Sequence, residues 1–145
     1  MTAPGMSLFS TELLAWARST THRGALTCVQ ASATLDNPWC GDRVCVELCV
    51  HEGVVRVAGW HGDGCVLCLA SAALLAGTLT ARPLAQLQAM VDLVHAQLAA
   101  GDAAALPGDL AVLNAAAAYP ERHDCLLLPW KCVSLALEAQ LQHGF

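Results

Sequence analysis

The spacing of apolar residues changes once along the chain, and this change constrains the fold more than any other feature. From Arg43 to Val50 every second residue is apolar, so the apolar side chains share one face, which predicts a half-buried strand. His51-Glu52-Gly53 then predicts a turn into a second strand over Val54–Trp60. After Cys65 the apolar spacing is helical. Strands followed by helices predict an α+β fold: a small antiparallel sheet of about three strands, with four or five helices on one face.

The chain has the length of one domain, and its composition agrees with a buried core. Its 145 residues are 56 % hydrophobic and 13 % charged, which disfavours disorder. No Pro/Ser-rich linker and no internal repeat divides the sequence, so we expect a single domain over residues 1–145. The net charge is −5, with 7 Lys and Arg and no basic run, which disfavours nucleic acid as a partner.

No segment of the sequence predicts a membrane span or a secretory signal. The most apolar window, Cys65–Ala76, is too short to cross a bilayer and contains Ser71. Residues 1–10 lack the positive start and the long apolar stretch of a signal peptide. We therefore expect a cytoplasmic protein without a membrane partner, whose thiols stay reduced instead of forming a disulfide framework.

The 8 cysteines of such a chain predict that some are metal ligands or reactive thiols. Cys40, Cys65 and Cys125 stand where loops or strands end, and a nearby helix N-terminus favours the thiolate. Asp42 lies two residues from Cys40, so three thiolates and one carboxylate would complete a tetrahedral zinc site. The same donors suit iron. By spacing alone, a metal site and a set of buried free cysteines are equally good interpretations.

The remaining cysteines are interpreted as small buried hydrophobes, namely Cys28, Cys45, Cys49, Cys68 and Cys132. Cys45 and Cys49 share the more polar face of the first predicted strand but lie too far apart to share an ion without help. Cys65 and Cys68 form a CxxC, a spacing found in redox and zinc proteins, but the apolar helix favours core packing for Cys68. A CxxC redox protein is disfavoured, since no thioredoxin-like βαβ pattern precedes the motif.

Among the histidines, His61 and His123 are near the proposed ligands in sequence. They are the two that we consider as additional metal partners. For each of them a surface position or an ordinary hydrogen bond is the favoured interpretation, because a histidine near a ligand in sequence need not reach the same ion.

Three motifs occur in order between residues 36 and 140. The first, Asp36–Asp42, reads D-N-P-W-C-G-D and resembles an N-P-x-C-G-D signature. Gly62–Cys65, followed by Ala70-Ser71, resembles G-x-G-C with a later A-S. Pro120–Cys125, followed by Leu128–Trp130, resembles P-x-R-x-x-C with a downstream L-P-W. Together these motifs resemble the IscU/SufU/NifU family of iron–sulfur cluster assembly scaffolds.

Within that family the chain is most similar to the SufU branch. Sixty positions separate Cys65 from Cys125, and SufU proteins carry a longer insert here than IscU proteins. IscU proteins place a histidine directly before the third cysteine, whereas this chain has Asp124. Arg122, three residues before that cysteine, matches the SufU pattern.

The resemblance implies a zinc-bound sulfurtransferase whose metal ligands are Cys40, Asp42, Cys65 and Cys125. Proteins of this kind work with a SufS-type cysteine desulfurase, a pyridoxal-phosphate enzyme that makes a persulfide from free cysteine. Cys40 would leave the zinc and accept the sulfur, while a histidine of the desulfurase replaces it on the metal. Arg122 would steady negative charge near the site, and iron–sulfur client or carrier proteins would be further partners.

Two other functions would use the same residues. A scaffold would assemble a transient iron–sulfur cluster on the same cysteines, although the carboxylate of Asp42 makes a labile ligand. A non-catalytic metal-binding interaction protein is suggested by residues 1–24, an atypical helical segment. The family usually has an aspartate–histidine–tyrosine stretch and an N-P-R-N-x-G motif there, and in this chain only Gly24 fits well. That region is implicated in partner docking.

Overall fold

The computed structural model describes residues 9–101 and 106–143, and they form a three-stranded antiparallel sheet and five α-helices. The strands, which neighbour each other in chain order, are β1 (Ala31–Asn37), β2 (Asp42–His51) and β3 (Val54–Asp63). The helices are α1 (Thr11–Arg18), α2 (Val66–Leu79), α3 (Leu87–Ala99), α4 (Asn114–Ala117) and α5 (His123–His143). The predicted α+β fold is thereby confirmed. No helix within the described ranges is long and apolar enough to cross a bilayer.

The side chains of the central strand β2 alternate between the two faces of the sheet, and the two faces differ. Val44, Val46 and Leu48 have no solvent exposure and belong to the same core as residues of α2, α3 and α5. Helix α5 packs on β1 and β2, and α2 packs on β3, so the helices cover this inner face. The intervening residues of β2 point the other way, because successive strand residues alternate between faces. We call that side the outer face.

Helix α2 lies at the centre of the molecule, between α1, α5 and the sheet. From the sequence, Gly77 predicts the end of this helix. The helix continues past Gly77 and stops at Leu79. Thr80 explains the difference, since its Oγ donates to the Ala76 carbonyl at 2.8 Å and accepts the Ala58 N–H of β3 at 3.0 Å. A tertiary contact, and not the glycine, therefore ends the helix.

Residues 22–30, which we call the crossing segment, run from the edge of β3 over the outer face to the start of β1. At the edge, the Gly24 N–H donates to the Trp60 carbonyl at 2.7 Å, and the Trp60 N–H donates to the His22 carbonyl at 3.0 Å. The segment passes so close to β3 that a Cβ at Gly59 would lie 2.8 Å from the side chain of Leu26. The sequence predicts extended structure over 25–35, but the paired strand begins only at residue 31.

A disulfide joins Cys28 of the crossing segment to Cys49 of β2, with the two Cα atoms 5.2 Å apart. The prediction that both residues are free, reduced hydrophobes is therefore wrong. The prediction rests on reduced thiols in a cytoplasmic protein and on buried cysteines behaving as small hydrophobes, and neither argument shows that the segment before β1 folds back over the outer face. The other cysteines are free: Cys40, Cys45, Cys65, Cys68, Cys125 and Cys132.

Candidate metal centre

A tight turn between β1 and β2 presents Cys40 to solvent. The Asn37 carbonyl accepts the N–H groups of Cys40 at 3.3 Å and Gly41 at 2.9 Å, and the Asn37 side chain accepts the Trp39 N–H at 3.1 Å. Gly41 has a φ of 73°, a left-handed conformation that glycine adopts readily. Trp39 is 90 % exposed beside Cys40. Asn37 is buried and fixes the turn, a role that the motif did not indicate.

Asp42, the first residue of β2, is only 1 % exposed and uses its two carboxylate oxygens differently. Oδ1 accepts the backbone N–H of Cys65 at 2.8 Å, at the N-terminus of α2. Oδ2 lies 3.0 Å from Cys40 Sγ and 3.7 Å from Cys65 Sγ. A Cβ at Gly64 would come within 2.9 Å of Oδ1, so the glycine lets the α2 N-terminus approach this carboxylate.

Cys125 joins this group from the first turn of α5. Its Sγ lies 3.4 Å from Cys40 Sγ, and one ligand atom each of Cys40, Asp42 and Cys125 falls within 4.8 Å of the others. Cys65 lies beside this trio, and its N–H and Sγ both contact the carboxylate of Asp42. The structure thus brings all four predicted ligands to one end of the sheet.

Burial favours the protonated thiols of Cys40 and Cys125 when no cation is present. It is the main cause that raises the pKa of Cys40, and the hydrogen bond with Asp42 raises it further. Burial likewise raises the pKa of Cys125, with added contributions from the neighbouring thiols of Cys40 and Cys65. These thiols therefore need a nearby positive charge to become thiolates.

The donor set at this end of the sheet fits a zinc or iron ion. Three thiols and one carboxylate are ligands that both metals accept in tetrahedral geometry. The buried carboxylate of Asp42 forms no ion pair with a basic side chain in the described part of the chain. A buried carboxylate among thiols without a cationic partner is costly, and a divalent cation would neutralise it.

Arg122 is exposed in a short 3₁₀ turn directly before α5. No hydrogen bond or ion pair of its guanidinium occurs within residues 9–101 and 106–143, so the group is available to a bound molecule. The next residue, His123, uses Nε2 in a 3.0 Å hydrogen bond with the Ala117 carbonyl. His61 lies on the outer face, beside Cys45 and Glu47. Neither histidine is in the group formed by Cys40, Asp42 and Cys125.

Cys68 is buried in the core, one helical turn after Cys65. Burial raises its pKa strongly. A protonated thiol packed among apolar side chains is inert, which agrees with the predicted core role.

A small sheet with helices on one face and a thiol-rich centre at one end are the features expected of the iron–sulfur cluster assembly scaffold family. The family model described as NifU-like N terminal domain matches residues 9–126, and the chain therefore belongs to this family. It is 28 % identical over 134 residues to the iron–sulfur cluster assembly scaffold protein IscU of Thermotoga maritima, an alignment covering 90 % of this chain and 93 % of that protein. It is 25 % identical over 101 residues to the zinc-dependent sulfurtransferase SufU of Bacillus subtilis, covering 68 % and 69 %.

Two solved structures have the same fold. One is the putative iron–sulfur cluster assembly scaffold protein for the SUF system of Fervidobacterium islandicum, with a TM-score of 0.83 and 19 % identity over 93 % of this chain and 99 % of that one. The other is the N-terminal part of a NifU-like protein of Brucella abortus, with a TM-score of 0.82 and 24 % identity over 95 % and 96 %. Both support the predicted fold class.

Proposed function

We propose that this chain is a zinc-bound sulfur acceptor in iron–sulfur cluster assembly, and that Cys40 receives the sulfur. The observation that carries the proposal is the unequal exposure of three neighbouring thiols. Cys40 is exposed at the tip of its turn, Cys65 is half-buried, and Cys125 is only 6 % exposed. A partner can therefore reach Cys40 first. The similarity to a relative named zinc-dependent sulfurtransferase favours the same function.

The zinc would be held by Cys40, Asp42, Cys65 and Cys125. Bound there, zinc would stabilise the thiolate forms at neutral pH. Asp42 keeps its orientation through the Cys65 N–H, so the second oxygen points at the thiols in advance. Cys40 belongs to a turn, while the other ligands belong to a strand or to helix starts, so Cys40 is the ligand that can move most easily.

The transfer itself is a thiol–persulfide exchange. The Sγ of Cys40 attacks the outer sulfur of a persulfide on a SufS-type cysteine desulfurase. A new sulfur–sulfur bond forms on Cys40, and the bond within the partner's persulfide breaks. The partner's sulfur leaves as a thiolate and takes up a proton, so no outside oxidant or reductant is needed. The exposed guanidinium of Arg122 stabilises the negative charge that develops during this exchange.

The experiment is to incubate the protein with a SufS-type desulfurase and free cysteine, and to locate added sulfur by peptide mass analysis. The extra sulfur is expected on the peptide that contains Cys40, and the Cys40→Ser variant should accept none. Cys45→Ser, a free cysteine on the outer face, is the matched control and should accept sulfur normally. Sulfur on the Cys125 peptide, together with sulfur uptake by Cys40→Ser, would show that Cys125 is the acceptor.

A second candidate function is a scaffold that assembles an iron–sulfur cluster on the same cysteines. The name of the Thermotoga maritima relative favours it, as does the suitability of three thiols for iron. Supplying iron and sulfide distinguishes the candidates, because a bound cluster absorbs visible light and zinc does not. A non-catalytic metal-binding protein would keep its zinc in both experiments and would acquire neither sulfur nor colour.

A further inference from the structure

We propose a second metal site on the outer face of the sheet, formed by Cys45 and Glu47 of β2 and His61 of β3. Cys45 and His61 are direct partners across the two strands, and Glu47 lies two positions further along β2 on the same face. One sulfur, one carboxylate oxygen and one ring nitrogen of the three residues lie within 4.8 Å of one another. His61 Nε2 is 3.9 Å from Glu47 Oε1.

The crossing segment orients the carboxylate of this group. Glu47 Oε1 accepts the backbone N–H of Leu26 at 2.9 Å, and the side chain is only 15 % exposed. The disulfide between Cys28 and Cys49 holds the same segment against β2. A ligand whose orientation is fixed by an outer hydrogen bond loses little freedom when an ion binds. The arrangement therefore has three ligands, and the hydrogen bond from Leu26 fixes the orientation of one of them, Glu47.

The three donors select the kind of ion. Sulfur, nitrogen and oxygen together suit zinc and similar transition metals, whereas magnesium and calcium prefer oxygen alone. A thiolate, a carboxylate and a neutral imidazole would balance the two positive charges of the ion. Cys45 would release its thiol proton to solvent on binding. Three protein ligands leave a fourth position for water, and all three residues are half-buried, so the ion can enter from solvent.

This site is separate from the centre that contains Cys40. Asp42 and Cys45 are three residues apart on β2, about 10 Å along a strand, and odd separations place side chains on opposite faces. Asp42 is buried on the inner side, and Cys45 lies on the outer face. Binding at the outer face therefore does not depend on the proposed sulfur transfer, and failure of one proposal leaves the other standing.

The test is to titrate untagged full-length protein with Zn²⁺ and to count bound ions by native mass spectrometry. Two ions per chain are expected for the unaltered protein. His61→Gln should bind one, and so should Cys45→Ser. His51→Gln is the matched control, because His51 lies on the same hairpin, exposed and 3.8 Å from Glu52, and this variant should still bind two. Melting curves of all variants establish that each is folded.

Co²⁺ gives a second readout that identifies the ligand. Co²⁺ bound to a thiolate absorbs in the near ultraviolet, and Cys45→Ser should remove the part of this absorption contributed by the second ion. Cys40→Ser should lower the affinity for the central ion and leave the outer ion bound. One ion per chain in the unaltered protein, or equal counts for His61→Gln and His51→Gln, would show that His61 and Glu47 form an ion pair only.

Discussion

The indole N–H of Trp130 donates a hydrogen bond of 3.0 Å to the Oγ of Ser71, 59 residues earlier in the chain. Ser71 donates in turn to the Leu126 carbonyl at 2.5 Å, and the side chains of Ser71 and Trp130 have no solvent exposure. Ser71 lies in α2, which begins directly after Cys65, and Trp130 follows Cys125 in α5. This buried connection therefore fixes the relative position of the two helices that carry two of the thiols.

Replacing Ser71 with Ala should destabilise the protein, because it leaves the Trp130 N–H and the Leu126 carbonyl without their partner. An unsatisfied buried group costs about 1–3 kcal/mol, and the loss should be visible as an earlier midpoint in urea unfolding. The matched background is Trp130→Phe, which removes the donor. If Ser71→Ala costs the same in both backgrounds, the two side chains are not coupled.

Replacing Cys125 or Cys65 with Ser should remove the zinc of the centre and lower the melting temperature. Metal binding contributes to folding because the unfolded chain has no preformed site. Zinc content after gentle purification and a melting curve measure the two effects. Cys45→Ser is the control and should keep the central ion. An unchanged central zinc content in Cys125→Ser would mean that the ligand set is different.

Arg122→Ala should slow sulfur transfer while leaving zinc bound. In the proposed transfer the exposed guanidinium would stabilise the charge of the reacting sulfurs, and within the described residues it forms no hydrogen bond or ion pair with the proposed ligands. Single-turnover transfer from the desulfurase, measured beside zinc content, separates the two roles. Arg56→Ala, an exposed arginine near the opposite end of the sheet, should transfer at the normal rate. Equal rates for both variants would show that Arg122 has only a local role.

Trp39→Ala should weaken the encounter with the desulfurase. An aromatic side chain that is 90 % exposed beside the accepting thiol is a typical interface anchor, and its loss should raise the half-saturating desulfurase concentration about tenfold. The maximal transfer rate and the zinc content should stay unchanged. Val54→Ala, a 37 % exposed apolar residue far from the turn, is the control. Equal half-saturating concentrations for both variants would exclude Trp39 from the contact.

Zinc affinity should increase as pH rises. The pKa values of Cys40 and Cys125 are raised in the metal-free protein, so both thiols are protonated at neutral pH and zinc must displace their protons. Each displaced proton changes the affinity about tenfold per pH unit, in the direction of tighter binding at higher pH. Calorimetry in buffers of different ionisation enthalpy counts these protons. Cys40→Ser should release about one fewer, and an unchanged count would remove Cys40 from the ligand set.

The elements that the sequence predicted well are those determined by local spacing. Alternation predicted a strand over Arg43–Val50, and the structure has β2 at Asp42–His51. Apolar spacing also predicts a helix over Leu110–Ala118 with Asp109 at its N-cap. The structure has a 3₁₀ turn over Gly108–Leu113, preceded by Pro107, and then the short α4. Alanine-rich spacing indicates helix in general and does not distinguish these two forms.

The candidate site could be predicted only through the motifs. Spacing alone left a metal centre and buried free cysteines equally acceptable, whereas the motifs singled out the four residues that the fold brings together. The features that depend on the crossing segment could not be predicted from the sequence. The bond between Cys28 and Cys49, and the contact of Glu47 with Leu26, depend on a chain reversal that no local pattern indicates.

The crossing segment has one more consequence, at the free edge of β3. An unpaired strand edge is a template on which another chain can add a strand through its backbone. Here the amide and carbonyl of Trp60 are already bonded to Gly24 and His22 of the same chain. A partner protein at this position cannot pair with the backbone N–H and carbonyl of Trp60. A partner that binds there must therefore contact side chains, so its binding depends on their identity. The same hydrogen bonds protect this part of the sheet from edge-to-edge aggregation.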